Sequence, residues 1–181
     1  FKVKISAGNT IMIHPLVCSS YNADFDGDAM AIYVSMTDKC TEDINNKIGI
    51  WNNLISPTDG MIVPKPNQDI ILGIYTATKN NSGKTYEIKN AKLSKSRYLF
   101  NKCLPENYPV VDEMVDKKVL MNILNDIALN YNSKECIKTL DAIKELGFSL
   151  STKNGYTLSI DDIYVEEFEK FAKSITGTNI K

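Results

Sequence analysis

The densest chemistry in this sequence lies in Asp24-Phe25-Asp26-Gly27-Asp28, which sets three carboxylates within five residues. Two unit charges about 5 Å apart repel by roughly 3 kcal/mol at an effective dielectric near 20, so three such pairs carry a large cost. Either the loop is a solvated Asp-rich turn whose side chains splay apart, or a cation sits among them. Alternate residues of an extended segment face the same way, and Gly27 lets the backbone bend where a Cβ would obstruct it. An all-carboxylate cluster with room for water suits Mg²⁺, a hard ion that keeps part of its hydration shell. A calcium EF-hand is excluded. Its loop needs Gly at the sixth position and Glu at the twelfth, and counting from Asp24 those places hold Ala29 and Ser35.

Other reaction classes have little to work with. His14 is the single histidine, so a Ser-His-Asp or Cys-His mechanism would have to run through it, and a multi-histidine metal site is impossible. It lies in an apolar stretch, where packing or support of the loop suits it better than ligation of Mg²⁺. The four cysteines, Cys18, Cys40, Cys103 and Cys136, form no CxxC pair, which argues against a zinc ribbon and for inert, reduced thiols. Acid–base and metal chemistry therefore fall to carboxylates. Lysine and arginine number 21 against 22 acidic residues, a net charge of −1, so contact with nucleic acid must be local or supplied by a partner. Lys84, Lys89, Lys92, Lys95 and Arg97 read as the solvated charges of a surface hairpin. No phosphate-binding loop is visible, which disfavours a stand-alone phosphotransferase.

The elements that must position the acidic loop read as follows. Thr10 to Cys18 is apolar and β-branched, and Ala29 to Met36 alternates, which predicts strands on either side of the loop. From Thr41 the period becomes helical through Ile44, Ile48, Trp51 and Ile55, and Ser56-Pro57 stops it. Trp51 is expected in the core or an interface. Gln68-Asp69 reads as a helix cap before Ile70-Ile71-Leu72-Gly73-Ile74-Tyr75, a run far too short to span a bilayer. Residues 79–105 read as a linker or hairpin, with Asn80-Asn81-Ser82-Gly83 as the turn. Asp116 caps a predicted helix with Leu120, Ile123, Leu124 and Ile127 inward. Ser133 caps another that Gly147 stops. Asn154-Gly155 reads as a tight turn between short strands, and a last helix is expected over Val165 to Ile175 after Asp161-Asp162. The order predicts an α+β fold divided as 1–78, 79–105 and 106–181.

His14-Pro15-Leu16-Val17-Cys18, followed by Tyr21 and the string Asn22-Ala23-Asp24-Phe25-Asp26-Gly27-Asp28, resembles the active-site segment of the largest subunit of multisubunit DNA-dependent RNA polymerases, in its bacterial β′ form. The likeness continues through Asn53-Leu54-Ile55-Ser56-Pro57 with Gly60 and through Pro66 to Tyr75. Leu104-Pro105-Glu106, Asp116-Lys117-Lys118, Leu146-Gly147-Phe148, Gly155 and Ile160-Asp161-Asp162-Ile163 resemble later landmarks in the same order. Ala29 and Ser35 depart from the usual bacterial residues.

The resemblance implies part of a double-psi β-barrel, followed by a mainly helical pore-type region around the secondary channel. It implies that Asp24, Asp26 and Asp28 hold the catalytic Mg²⁺ and that Asn22 contacts the ribose hydroxyls of the incoming ribonucleotide. Asp161-Asp162 would then line the channel or cap the last helix. Partners would be the β-type subunit, the remaining β′ parts, DNA template, RNA product and ribonucleoside triphosphates, with no membrane. The location would be cytoplasmic and nucleoid-associated, or a plastid or phage-infected cell. Phe1 opens inside an expected strand, which leads us to expect a piece of a longer or split polypeptide. The rival expectation is a non-catalytic domain that keeps the fold and subunit interfaces.

Overall fold

The computed structural model describes residues 3–79 and 83–163. In chain order its elements are a 3-10 turn (Pro15–Val17), α1 (Cys18–Tyr21), α2 (Asp38–Asp43), a π-helical turn (Ile44–Ile48) and a second 3-10 turn (Ile50–Asn52). Next come α3 (Gln68–Lys79), the strands β1 (Thr85–Ile88) and β2 (Ala91–Ser94), α4 (Lys95–Cys103), α5 (Lys117–Asn130), α6 (Ser133–Asn154) and α7 (Ile160–Ile163). The class is α+β, with one small antiparallel sheet of two strands among the described residues.

The helical half follows from caps and periodicity. Asp116 Oδ1 accepts the Val119 N–H at 2.8 Å, and Leu120, Ile123, Leu124 and Ile127 form one buried stripe on α5. At the start of α6, Asn132 Oδ1 accepts the Glu135 N–H at 2.9 Å while its amide donates to Glu135 Oε2 at 2.8 Å. The cap is thus Asn132, one residue before the expected Ser133. Cys136, Leu140 and Ile143 on α6 meet Ile70 and Ile74 of α3, Phe100 of α4 and the α5 stripe in a single core.

Helices α3 and α6 make the most extensive contact between elements. Glycines allow it. A Cβ on Gly73 would lie 2.2 Å from the Gly147 carbonyl oxygen, and one on Gly147 would lie 2.7 Å from Ile70 O. Gly147 therefore does not stop α6. It is buried mid-helix at the crossing, and the helix continues to Asn154, where Gly155 (φ +57°) closes it with a left-handed cap. The expected turn at Asn154-Gly155 is this cap, and no strand flanks it among the described residues.

A buried polar network fastens the segment after α3. Arg97 Nε and Nη2 donate to Thr78 O at 3.2 and 3.1 Å, and Nη1 donates to Asp112 O and Oδ1 at 2.9 and 2.8 Å. Thr78 Oγ1 accepts the Val115 N–H at 3.0 Å, and Asn101 pairs with Val111 in both directions at 2.8 Å. Arg97 thus leaves the expected solvated set, while Lys84, Lys89, Lys92 and Lys95 remain exposed.

Three further expectations change. The hairpin turns at Lys89-Asn90, both with positive φ (47° and 66°), as the twist of a two-residue turn requires. Residues 80–82 of the expected turn and the helix over Val165 to Ile175 lie outside the described residues. The helix expected from Thr41 to Ile55 begins earlier, at Thr37, whose Oγ1 accepts the Cys40 N–H at 3.2 Å. It ends earlier too, because Asn52 and Asn53 amides take the carbonyls of Asn45, Asn46 and Gly49 at 3.0 to 3.1 Å. Trp51 folds over Gly49 and donates from Nε1 to Asn45 O at 3.1 Å, half-buried and outside the core cluster.

Neither strand expected around the acidic loop forms. Pro15 at the first helical position, with His14 capping, turns the first into a 3-10 turn and α1. Ala29 to Met36 stays extended without a ladder, and Ile32, Tyr33, Val34 and Met36 are exposed. A strand requires a neighbour to take its N–H and C=O groups, and among the described residues this segment meets only side chains of α2, Tyr33 at Cys40 and Ser35 at Thr41.

Gly73→Ala tests the crossing. In an open helix this change gains roughly 1 kcal/mol, whereas here overpacking against backbone should cost about 3 kcal/mol. Urea unfolding of the two proteins decides the sign.

Candidate metal centre

The acidic loop stands on a short, well-tied pedestal. Leu16, Val17 and Cys18 are buried, Lys65 N donates to Leu16 O at 3.0 Å, and Ser20 Oγ donates to Val63 O at 3.3 Å. Asn22 ends α1 in the left-handed region (φ 48°, ψ 42°), a conformation asparagine tolerates better than other L-residues. Ala23 N then donates to Cys18 O at 2.9 Å, which turns the chain out toward Asp24.

Beyond Ala23 the loop folds on itself. Asp24 N donates to Asp28 Oδ2 at 3.1 Å and Asp26 N donates to Asp24 Oδ1 at 3.2 Å. Gly27 sits at φ +128°, which a side chain would strain. One carboxylate oxygen from each of Asp24, Asp26 and Asp28 comes within 4.8 Å of the others, the only such acidic or thiol cluster among the described residues. All three are exposed. The side chains do not splay, and a hydrogen bond with Asp24 raises the Asp26 carboxyl above its ordinary value. Like charges held this close favour a shared proton or a cation. The donor set fits a hard divalent ion: only carboxylate oxygens, all reached by water.

The other candidates fall elsewhere. His14 lies at the foot of the pedestal, with Nε2 3.3 Å from Asp141 Oδ1 and 3.0 Å from Lys144 Nζ of α6. Asp141 and Lys144 carried no sequence signal, since their partner is 130 positions away in the case of Lys144. Gln68 starts α3 at a positive φ of 39°, and it and Asp69 in the first turn are exposed. Ser159 caps α7, its Oγ accepting the Asp162 N–H at 3.4 Å, while Asp162, inside the first turn, accepts from Ser159 N and Oγ at 2.8 and 3.0 Å, which lowers the Asp162 pKa. Cys18 and Cys136 are buried, and burial pushes Cys103 and Cys136 up to about 11, so neither is a nucleophile at neutral pH. No described helix is long and apolar enough to cross a membrane.

A mixed fold with an exposed carboxylate triad on a tight loop defines a protein with a candidate divalent-cation centre. Comparison narrows the class. RNA polymerase Rpb1, domain 2 matches residues 1–49, and RNA polymerase Rpb1, domain 3 matches residues 82–163. The DNA-directed RNA polymerase subunit beta′ of Sulfurihydrogenibium sp. is 33% identical over 195 residues, covering 91% of this chain and 12% of that protein. Those of Tropheryma whipplei and Beutenbergia cavernae are each 30% identical, covering 90% and 98% of this chain. The chain belongs to the β′-type family of RNA polymerase largest subunits. It spans between 12% and 18% of the length of these relatives.

Three exposed carboxylates without further ligands should bind Mg²⁺ weakly, on the order of millimolar in the chain alone. Asp26→Asn should weaken binding further and leave the unfolding midpoint unchanged, since its side chain is exposed. Isothermal titration and thermal melting in EDTA measure both.

Proposed function

We propose that this chain is the catalytic Mg²⁺-binding segment of a multisubunit DNA-directed RNA polymerase, carrying out nucleotidyl transfer within the full assembly. The observation that supports this reading most directly is the convergence of Asp24, Asp26 and Asp28 within 4.8 Å, on the motif of a β′-type chain. Asp24, Asp26 and Asp28 would hold the Mg²⁺, which when bound would supply Lewis acidity for nucleotidyl transfer to an RNA 3′-hydroxyl. The three aspartates hold the ion, and their exposure leaves positions for water or substrate oxygens. Asn22, next to the loop and locked in its left-handed cap, hydrogen-bonds the ribose hydroxyls of the incoming ribonucleotide.

Residues 1–78 then form part of a double-psi β-barrel, 79–105 a connecting hairpin region and 106–181 a pore-type region beside the secondary channel. The support lies in the exposed apolar side chains of the extended segments, Ile5, Met12, Ile32, Val34 and Met36. Such a set is costly in water and suits strands completed by other parts of β′ and by the β-type subunit. DNA template, RNA product and ribonucleoside triphosphates are the remaining partners. The setting is the cytoplasm and nucleoid, a plastid or a phage-infected cell.

Asp26→Asn should abolish RNA synthesis by the assembly, and primer extension at near the parental rate would refute the metal assignment. Asn22→Ala should relax discrimination against deoxynucleotides, because a site built to bond a hydroxyl rejects its absence. Single-nucleotide addition with ribo- and deoxynucleotides reads this directly, and unchanged selectivity removes Asn22 from the role.

A further inference from the structure

The pedestal beneath the acidic loop is fastened at its first residue. His14 Nδ1 accepts the Leu16 N–H at 3.3 Å and so caps the 3-10 turn Pro15–Val17. An imidazole nitrogen that accepts carries no proton, so the neutral ring bears its hydrogen on Nε2. That nitrogen lies 3.3 Å from Asp141 Oδ1, an acceptor in its ionised form. Lys144 Nζ is 3.0 Å from Nε2, 3.8 Å from Asp141 Oδ1 and 3.0 Å from Glu145 Oε1. A protonated nitrogen cannot also accept from an ammonium, so in this tautomer the ring is held by Asp141 and Lys144 by the two carboxylates.

Both ends of the imidazole are therefore committed, one to the backbone of the turn and one to α6. Leu16, Val17 and Cys18 are 3%, 7% and 6% exposed, so the turn cannot swing without unpacking them. From Cys18 the chain reaches Asp24 through one turn of helix and the Ala23 N to Cys18 O bond of 2.9 Å.

We propose that His14 is a positioning residue for the acidic loop, holding the pedestal to helix α6 through Asp141. The proposal rests on the reading of Asp24, Asp26 and Asp28 as a Mg²⁺ site. The neutral ring is the form the fold selects. Protonating Nδ1 would set an N–H against the Leu16 N–H. Burial and the Lys144 ammonium lower the His14 pKa from 6.5, against Asp141 and Glu145, which raise it. With the folded pKa below the unfolded one, the unfolded chain binds the proton more tightly. Stability from this contact is complete above about pH 6.5 and falls as pH drops through that value.

The test has two arms. In the full chain, His14 is the only histidine, so its ring ¹⁵N shifts are assigned without ambiguity. An Nε2–H tautomer with a pKa below 6.5, lowered further by Asp141→Asn, supports the proposal, whereas an Nδ1–H tautomer or an Asp141→Asn variant with unchanged titration overturns it. In the assembled polymerase, His14→Gln and Asp141→Asn should each raise the Mg²⁺ concentration for half-maximal RNA synthesis about tenfold, as loss of ligand-orienting groups does. The double variant should be no worse than either single one, because both cut the same link. A lowered unfolding midpoint with the parental Mg²⁺ dependence would mean a structural contact only, and overturns it. Asp26→Asn run alongside separates the failures. If that enzyme stays active, the metal reading falls; if it is inactive while Asp141→Asn keeps parental Mg²⁺ dependence, the His14 assignment alone falls.

Discussion

Two glycine backbones in contact, Gly73 on α3 and Gly147 on α6, set the spacing of the whole helical half. Without Cβ atoms the helices approach until the Gly147 carbonyl lies where a Gly73 side chain would begin. At that separation Ile70 and Ile74 join Cys136, Leu140 and Ile143 in one core, each of them at most 2% exposed. The crossing also places the face of α6 that carries Asp141, about 9 Å along the axis from Gly147. The position of the residue that holds His14 is therefore a consequence of a helix packing some distance from the acidic loop.

The core closes around polar groups that would otherwise be orphaned. Thr78 lies in the last turn of α3, where carbonyls lack an intrahelical partner, and the Arg97 guanidinium supplies two donors to that oxygen. The ion pair with Asp112 adds little on its own, since that carboxylate is half exposed and screened. What matters is that a buried guanidinium finds four acceptor contacts, so its charge is not stranded. Asn101 and Thr78 treat the loop before α5 in the same way, and together they fasten that loop to α4 and α3.

The segment around the acidic loop is held differently. The loop's own hydrogen bonds are local, its base is tied to residues 63 and 65 and to α6, and most of the segment's apolar side chains face outward. The pedestal is packed, the loop above it is tied only to itself, and the flanking chain has no ladder. Such a construction leaves the carboxylates clustered and open, suited to an ion and its water, while the link to the rest of the chain runs through the base.

What could be read directly from the residues was whatever short-range chemistry decides. The Asp24-Asp26-Asp28 cluster, the Asp116 cap and the inward stripe of α5 need no information beyond spacing within a few residues. Asn132 displaced Ser133 as a cap only because both sit next to the same helix start. The errors share one cause. The Ala29–Met36 alternation states a preference for a sheet face, and a strand forms only beside a partner that local sequence cannot supply. Gly147 reads as a helix stop until α3 lies against it, and Arg97 reads as a solvated charge until Thr78 and Asp112 surround it. The His14–Asp141 link joins residues far apart in the chain, so no spacing rule announces it. It exists because the glycine crossing brings α6 to the pedestal, and that meeting is a property of packing in three dimensions.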